Sequence, residues 1–437
     1  MTTGLKKELT LFDSTCIIVG IIIGVGIYQM SPAIARGVSF WWGVPLIWIA
    51  GGIVSLFGAL GYAELATAYP REGGDYVYLT RAFGRWAGFS FAWIQLTIVR
   101  PGDIAVLAFA FATYARVIYD PLSNMPAFSQ NIFAGGAAAI LTLINIIGVK
   151  QGKWTQNLLT TVKALGLLAI VGVALAAPHA KVTEAAFEKL PLSLAFIFVL
   201  FTYGGWNEMA YVAAEVKNPR RNIVRALVLG TVAVIILYLL VNGAFLYTLG
   251  YVGLATSQAV ASDSIATVFP KIGGRLISAL VCISALGAVN GLIFTGARIS
   301  YAMGAEHRAF ALLGRWHRLT GTPVWALIVQ GIIALGLIMI FGSYIDAILY
   351  TAPAVYGFYL ATNLAVVVLR RNEPNVQRPY KVTGYPLTTI IFCCVCAFFI
   401  YSAVTHALAN SPISLVILVI ALVAGLIVYR LETSARI

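Results

Sequence analysis

The sequence has few charged residues: Asp, Glu, Lys and Arg together make up only 10% of 437 residues, whereas 60% are hydrophobic. A water-soluble chain of this length could not cover so much apolar surface with so few charged side chains. The scarcity of charge therefore excludes a soluble globular protein and indicates an integral membrane protein.

Side chains that commonly carry catalysis are scarce as well. The four histidines fall in predicted loops or near the ends of apolar stretches, and the sequence contains no HExxH motif. An intramembrane enzyme would need a positioned nucleophile, an acid–base pair or a metal cluster. We therefore predict that the protein is not an enzyme and has no catalytic residue, no metal site and no cofactor.

Cysteine is also rare, and all five cysteines fall within long apolar stretches: Cys16, Cys282, Cys393, Cys394 and Cys396. None lies in a segment predicted to face the outside, so no disulfide framework is expected. We interpret these cysteines as small apolar packing residues.

Long apolar runs, by contrast, are abundant. A helix that spans a bilayer needs roughly 20 mostly apolar residues. Twelve such runs begin near residues 14, 41, 86, 129, 156, 191, 222, 275, 323, 344, 385 and 411. No long polar segment separates them, so we predict one all-α, polytopic membrane domain over residues 1–437.

The net charge of +13 reflects topology rather than nucleic-acid binding. If the N-terminus is cytoplasmic, most lysines and arginines fall on the inner side, including the cluster Lys217, Arg220, Arg221 and Arg225. This asymmetry follows the positive-inside rule. It predicts a multi-pass protein of the cell membrane with both termini in the cytoplasm, a lipid bilayer around it and no nucleic-acid partner.

The first apolar run, IIVGIIIGVGIYQMSP at residues 17–32, contains Gly20, Gly24 and Gly26. Glycine weakens a helix by about 1 kcal/mol relative to alanine, and backbone groups freed within a bilayer need new partners. The pattern predicts an unwound segment whose backbone completes a ligand site. Close helix packing of the type small-xxx-small is the alternative, and Gly20 with Gly24 has that spacing.

A matching stretch, FVLFTYGGWNEMA at residues 198–210, interrupts the sixth run. Five runs separate the two starts, so the two interrupted helices enter the membrane from opposite sides. Corresponding breaks in two halves of opposite topology are typical of transporter binding sites. We predict inverted repeats over about residues 11–178 and 191–370, with additional helices over about residues 385–430.

The two breaks together suggest a zwitterionic ligand. The half-helix after Gly26 directs N–H groups and a partial positive charge at the gap. Unpaired carbonyl groups of Ile22 and of residues 201–204 face it. Donors for a carboxylate and acceptors for an ammonium group fit an α-amino acid. A channel would instead need rings of carbonyl groups or charges along a pore, and the pseudo-repeat supplies no obvious one.

Several motifs, in order, resemble the L-amino acid transporter family of the amino acid–polyamine–organocation superfamily. They are GIIIGVGI at 20–27, YAEL at 62–65 with REGG at 71–74, Arg100-Pro101, Lys163 in TTVKALGLLAI, FTYGGWN with EVKNP at 215–219, and SALGAVNG at 284–291. The resemblance runs over about residues 5–370. It implies a five-plus-five inverted-repeat fold with discontinuous first and sixth helices.

The resemblance also implies roles for individual residues. The substrate carboxylate would bind backbone N–H groups near Val25 and Gly26, next to Gly24. The α-ammonium group would bind the carbonyl groups of Ile22, Phe201 and Gly204.

Side chains of the second break would complete this site. Phe201 would gate it, while Trp206 and Asn207 would shape the side-chain pocket. The GGWN stretch resembles that of family members with neutral substrates, and Glu208 after it keeps a cationic or polar substrate open.

Lys163 lies within the fifth apolar run, about 10 Å deep at 1.5 Å per residue. The resemblance implies that the Lys163 ammonium group occupies the place where sodium-coupled relatives hold a cation, and that it ties the first break to Ser284. A fixed charge needs no sodium and favours exchange. Snorkelling to the inner surface is the alternative, and a lowered pKa of a buried lysine keeps proton coupling open.

Three departures from the family pattern bear on these expectations. Val25 stands where many members have serine, and Phe245 stands where several have tyrosine, which removes two hydroxyl groups. The outside loop YDPLSNMPAFSQ lacks the cysteine by which animal members join a heavy chain. We therefore expect a stand-alone, bacterial subunit without a disulfide-linked heavy chain.

Two charges within the third run, Arg100 and Asp103, are three residues apart and could neutralise each other on one helix face. We favour this structural role over a direct substrate contact. Together with the two breaks, the resemblance implies a sodium-independent exchanger of neutral L-amino acids that works by alternating access. A proton-coupled amino acid permease or an amino acid/amine antiporter is the alternative.

Overall fold

The computed structural model of the protein describes residues 7–180, 187–270, 272–340, 344–410 and 412–434, and most of them are helical. The α-helices are α1 (Leu11–Ile22), α2 (Gly26–Gln29), α3 (Ser31–Arg36), α4 (Gly43–Ala68), α5 (Asp75–Phe83), α6 (Arg85–Ile94), α7 (Arg100–Ile118), α8 (Pro126–Ile147), α9 (Val149–Leu175), α10 (Leu192–Thr202), α11 (Pro219–Thr256), α12 (Val260–Ala266), α13 (Gly273–Glu306), α14 (Val324–Ile340), α15 (Tyr344–Asn372), α16 (Leu387–Asn410) and α17 (Pro412–Ser434). A π-helical segment (Gln95–Val99) and two 3-10 segments (Trp206–Glu215 and Arg308–Phe310) complete the helical elements of these ranges.

Ten helical segments of the described chain are long and apolar enough to cross a bilayer. The prediction of an all-α, polytopic membrane protein is confirmed. Two of the predicted spans are not among the ten: the interrupted segment that contains α10, and α14, which is 17 residues long. The total of twelve spans therefore stays a prediction.

Polar residues fix the start of the first interrupted helix. Thr10 caps α1 in a capping box, since its side chain accepts from the Asp13 N–H while the Asp13 carboxylate accepts from the Thr10 N–H. This arrangement satisfies N–H groups that a helix end leaves free. The Asp13 carboxylate also accepts hydrogen bonds from Asn157 at 2.6 Å and Lys153 at 3.2 Å. These contacts anchor α1 to α9.

The two interrupted segments run antiparallel to each other. Leu9, just before α1, pairs with the backbone of Glu215 and Lys217, where the second interrupted segment ends. At the opposite end, the Leu190 N–H donates to the Arg36 carbonyl at 3.0 Å. The start of each segment therefore lies beside the end of the other.

The first interrupted segment occupies the centre of the bundle. In its most apolar window, over Leu11–Gln29, 72% of residues are buried, compared with 11% in the window Leu415–Thr433 of α17. Around this centre α7 packs along α13, and α4 packs along α11. A central position lets neighbouring helices supply partners for any backbone group that the segment leaves unpaired.

Ion pairs connect helix ends below this centre. Glu215 binds Arg298 of α13 at 2.7 Å, and both side chains are buried. Glu64 of α4 binds Arg370 of α15 at 2.5 Å. Because a buried charge requires a partner, the first pair joins α13 to the end of the second interrupted segment, and the second pair joins α4 to α15.

Candidate functional site

The first interrupted helix breaks where its glycines predict. Helix α1 ends at Ile22, α2 begins at Gly26, and the Ile23 backbone is non-helical with φ −72° and ψ 77°. The Gly24 N–H turns back onto the Ile22 carbonyl at 2.7 Å. The break therefore spans residues 23–25.

The three glycines of this stretch have different surroundings. A methyl group at Gly20 would lie 2.1 Å from the Thr160 hydroxyl, and one at Gly26 would lie 3.0 Å from Thr202. At Gly24 the nearest atom would be 3.9 Å away. Helix packing therefore explains Gly20 and Gly26, whereas Gly24 borders open space.

The second interrupted helix breaks at residues 203–205. Helix α10 ends at Thr202, and a 3-10 segment begins at Trp206. Gly205 has φ +113°, a left-handed conformation that glycine adopts readily. A methyl group there would lie 2.7 Å from Ile21, so the two breaks are in direct contact.

A cavity of about 180 Å³ lies between the two breaks. Seven of the eight predicted substrate-binding residues line it: Ile22, Gly24, Val25, Gly26, Phe201, Gly204 and Trp206. The Phe201 side chain is 37% exposed, in agreement with its position at the border of this cavity. The eighth, Asn207, does not line this cavity and instead accepts a hydrogen bond from Tyr359 at 2.8 Å.

Lys163 is completely buried and its ammonium group binds the first break. It donates to the carbonyl groups of Gly20, Ile23 (2.7 Å) and Ser284 (3.3 Å). The Ser284 hydroxyl donates to the carbonyl groups of Ile23 and Gly24, each at 3.1 Å. The side chain thus joins α9, the first break and α13, rather than extending to a membrane surface.

Tyr238 of α11, which no sequence pattern singles out, contacts both breaks. Its hydroxyl group donates to the Ile22 carbonyl at 2.9 Å and lies 3.5 Å from the Thr202 carbonyl. One side chain therefore binds the last helical residue before each break. Phe245, which stands where several family members have tyrosine, lies two turns later on the same helix.

The predicted pairing of Arg100 with Asp103 is wrong. Arg100 instead binds Glu208 at 2.7 Å, and both side chains are at least 96% buried. Arg100 also donates to Gln95 at 3.0 Å. The pairing across 108 residues arises because the second break carries Glu208 to the start of α7, which a spacing rule for one helix cannot anticipate.

A polar chain continues from this pair away from the cavity. Asn207 donates to the Tyr211 hydroxyl at 2.9 Å, and Tyr211 donates to the Asp75 carboxylate at 2.7 Å. Tyr62 (2.5 Å) and Thr362 also donate to Asp75. Burial raises the pKa of Asp75 to about 6. Through these hydrogen bonds the Asp75 carboxylate connects α4, α5, α15 and the 3-10 segment beneath the cavity.

The arrangement suits a small dipolar ligand better than a chemical reaction. The cavity is bordered by the non-helical backbone of two broken helices, and a buried cation and a tyrosine hydroxyl stabilise those breaks. The prediction that the Ile22 and Phe201 carbonyl groups are unpaired is wrong, because they accept from the N–H groups of Gly24 and Gly204. Such discontinuous helices with a central site are typical of membrane transporters.

Comparisons with known proteins agree with this interpretation. The sequence model described as amino acid permease matches residues 9–431. The b(0,+)-type amino acid transporter 1 of Mus musculus is 33% identical over 402 residues, which cover 89% of this chain and 82% of that protein. The serine/threonine exchanger SteT of Bacillus subtilis (strain 168) is 31% identical over 396 residues, which cover 89% of each protein.

A further relative, the large neutral amino acids transporter small subunit 2 of Mus musculus, is 30% identical over 408 residues, which cover 89% of this chain and 75% of that protein. The family and these relatives are transporters rather than enzymes. The chain belongs to the amino acid permease family, as a transporter of the L-amino acid transporter type in the amino acid–polyamine–organocation superfamily.

Proposed function

We propose that this amino acid transporter is sodium-independent and exchanges neutral L-amino acids by alternating access. The observation that carries the proposal is the cavity between two facing helix breaks. Its first border, Val25 and Gly26 at the start of α2, offers backbone N–H groups to a carboxylate. The carbonyl groups of Ile22, Phe201 and Gly204 are our proposed acceptors for the α-ammonium group, which would share those of Ile22 and Phe201 with the N–H groups that they already bind.

Lys163 supports independence from sodium. Its ammonium group lies within hydrogen-bond distance of the Ile23 carbonyl and of the Ser284 carbonyl. A fixed ammonium group supplies there the positive charge that a bound sodium ion would otherwise supply. We therefore assign Lys163 and Ser284 to the coupling of the first break with α13.

The names of two relatives support exchange and neutral substrates. One is a serine/threonine exchanger, and another is a subunit of a transporter for large neutral amino acids. The GGWN stretch, which places Trp206 on the cavity wall and Asn207 behind it, resembles that of family members with neutral substrates. We also propose a stand-alone subunit, since the loop at residues 119–130 contains no cysteine for a heavy chain.

The antiparallel packing of the two interrupted segments supports an inverted repeat. We propose twelve spans in one domain, with repeats over about residues 11–178 and 191–370 and additional helices over about residues 385–430. Both termini would then lie in the cytoplasm, as the distribution of basic residues predicts. Rocking of one bundle against the rest would expose the cavity to either side in turn.

Counterflow in proteoliposomes tests the proposal. The purified protein is reconstituted with an internal amino acid, and uptake of labelled neutral, cationic and acidic amino acids is measured with and without sodium. We expect neutral uptake that requires an internal amino acid and does not require sodium. Uptake without internal amino acid but driven by a proton gradient would favour the proton-coupled alternative, and a sodium requirement would contradict the assigned role of Lys163.

A further inference from the structure

A second pocket, which we call the basic pocket, lies away from the cavity between the breaks. It has a volume of about 610 Å³ and is formed by α11, α15 and the loop that joins α15 to α16. Four of its lining residues are basic: Arg220, Arg370, Arg378 and Lys381. None of its described lining residues is acidic. A pocket of this size can hold a small molecule, and its charge favours an anion.

A single carboxylate lies behind these four cations. Glu64 of α4 binds Arg370 at 2.5 Å and lies 3.5 Å from Arg378. Glu373, at the start of the loop, binds Arg81 at 3.0 Å instead. Four cations and one carboxylate leave an excess of three positive charges in the described part of the pocket.

Two of the cations are held in place before any ligand binds. The Arg378 side chain is only 7% exposed, and it donates to three backbone carbonyl groups at the end of α15 and in the following loop, at 2.8 to 3.1 Å. The Arg370 guanidinium group lies 3.8 Å from the centre of the Tyr385 ring. These contacts fix the loop and the floor of the basic pocket.

The other two cations are available to a ligand. Lys381 is exposed, and no hydrogen bond or ion pair from the described residues reaches its ammonium group. Arg220 is also exposed, and its side chain has one long hydrogen bond within these ranges, to Gln377 at 3.4 Å. Arg220 is the second residue of α11, where the helix dipole adds a partial positive charge. A ligand with several anionic oxygens would bind both side chains at once.

A signal for membrane topology is the alternative interpretation of these charges. The positive-inside rule depends on how many lysines and arginines a loop contains, not on how they are arranged. It does not account for a nearly buried Arg378 with four hydrogen bonds to the backbone, or for a pocket around it. The arrangement therefore favours a binding site.

The basic pocket lies at the level where lipid headgroups are expected. Helix α11 begins at Pro219, α15 ends at Asn372 and α16 begins at Leu387, and each of these residues is the end of a candidate span. The distribution of basic residues predicts that this side is cytoplasmic, where the membrane surface is anionic. Basic pockets between helices on this side suit lipid headgroups, and arginine binds phosphate oxygens in pairs.

We propose that the basic pocket binds the phosphate group of an anionic ligand, with Arg220 and Lys381 in direct contact with it. The phosphate belongs to a phospholipid headgroup or to a soluble ion. An anion bound there would link α11 to the loop after α15. No described residue lines both this pocket and the cavity between the breaks, so the site is separate from the one proposed for amino acids.

Melting temperatures of the purified protein in a neutral detergent test the proposal, because a ligand of the folded state raises them. Wild type is compared with the double variant Arg220→Gln/Lys381→Gln. Each is titrated with dioleoylphosphatidylglycerol, dioleoylphosphatidylcholine and inorganic phosphate. Arg315→Gln/Arg318→Gln is the matched control, since it removes two exposed arginines from the segment between α13 and α14 and changes the net charge equally.

We expect phosphatidylglycerol, but not the zwitterionic phosphatidylcholine, to raise the melting temperature of wild type and of the control. The apparent affinity for phosphatidylglycerol should fall about tenfold or more in the double variant. Arg220→Lys/Lys381→Arg keeps both charges and should keep the affinity.

The two anions distinguish the sources of the phosphate group. A shift with phosphatidylglycerol alone assigns the pocket to a lipid, and a shift with inorganic phosphate that the double variant loses assigns it to a soluble anion. No shift with either anion overturns the proposal, and so does an equal loss of affinity in the double variant and the control. An equal shift with phosphatidylcholine also overturns it, since the negative charge would then be irrelevant. None of these measurements depends on amino acid transport, so they test the basic pocket independently of the proposed function.

Discussion

The two helix breaks face one cavity but are stabilised in different ways. In the first, distant side chains supply the partners: Lys163 from α9 and Ser284 from α13 bind carbonyl groups at Ile23 and Gly24. In the second break, the local backbone itself supplies most of the stabilising contacts. Gly205 adopts a left-handed conformation, and the Gly204 N–H donates to the Phe201 carbonyl at 3.0 Å.

The stability of the two breaks therefore depends on different parts of the molecule. A break held by charge from neighbouring helices depends on their position, and so it is coupled to movement of α9 and α13. A break held by its own glycine depends on local conformation. Tyr238 is shared, because its hydroxyl group contacts the last helical residue before each break. Substitutions at these positions should therefore affect the two breaks to different extents.

The largest effect is expected from Lys163→Ala. The change leaves the carbonyl groups of Gly20 and Ile23 without their ammonium partner, and each buried group left unsatisfied costs about 1–3 kcal/mol. Counterflow should fall roughly 30-fold or more. Lys150→Ala, which changes an exposed lysine on the same helix, is the control.

Unchanged counterflow in Lys163→Ala would remove the proposed role of the lysine. Repeating the measurement with sodium sharpens the comparison. Recovery with sodium would mean that the first break needs a cation at this place but not specifically an ammonium group.

A somewhat smaller effect is expected from Gly205→Ala. A left-handed conformation costs an alanine about 1–2 kcal/mol, and the new methyl group would lie 2.7 Å from Ile21. Counterflow should fall roughly tenfold, with a lower melting temperature in detergent. Gly204→Ala should lower the melting temperature less, since its methyl group would lie 3.1 Å from the Phe201 carbonyl and 4.0 Å from the Leu200 carbonyl. Equal melting temperatures for the two variants would show that the second break does not depend on Gly205.

Tyr238→Phe should have a moderate effect. It removes one hydroxyl group and with it a hydrogen bond of 2.9 Å to the Ile22 carbonyl, a contribution of about 1 kcal/mol. We expect about a fivefold loss of apparent substrate affinity in counterflow. The neighbouring Tyr203 is a matched control, because its buried hydroxyl group has no partner among the described residues. If Tyr203→Phe lowers affinity equally, the effect does not come from the shared hydrogen bond.

The sequence predicts the breaks because glycines cluster at corresponding places in two apolar runs, although helix packing explains Gly20 and Gly26. Gly24 and Gly204 border the cavity, and the resemblance to a family correctly leads to the proximity of Lys163 and Ser284. Tyr238 could not be predicted, since a tyrosine in an apolar helix looks like any core aromatic residue.

The ion pairs show a second limit of sequence reasoning. The sequence suggests a partner for Arg100 within its own helix, whereas the observed partner, Glu208, lies on another segment. Asp75 directly follows the REGG motif at 71–74 and attracted no prediction, although hydroxyl groups from Tyr62, Tyr211 and Thr362 meet on it. Such contacts depend on how separate elements approach in three dimensions, which spacing along the chain does not encode.

The smallest effect is expected from a change of pH, which should act through the Asp75 carboxyl group beyond the second break. Burial raises the pKa of Asp75 from its ordinary value of 3.8 to about 6, with a further contribution from nearby Glu208. The folded protein therefore holds a proton that the unfolded chain releases between about pH 4 and pH 6, so its stability falls as the pH rises through this range. The melting temperature of wild type should fall by a few degrees between about pH 5 and pH 7, relative to Asp75→Asn.

Asp120→Asn serves as the control for this slope. Hydrogen bonds from Ser129 and Arg116 lower the pKa of Asp120, so its carboxylate stays ionised throughout that pH range. Its removal should leave the slope as in wild type, whereas Asp75→Asn should flatten it. Because Asp75 contacts Tyr211 beyond the second break, a flattened slope would assign the pH response to that side. Parallel curves for wild type and Asp75→Asn would mean that this carboxylate does not titrate between these pH values, and the pH response would then say nothing about either break.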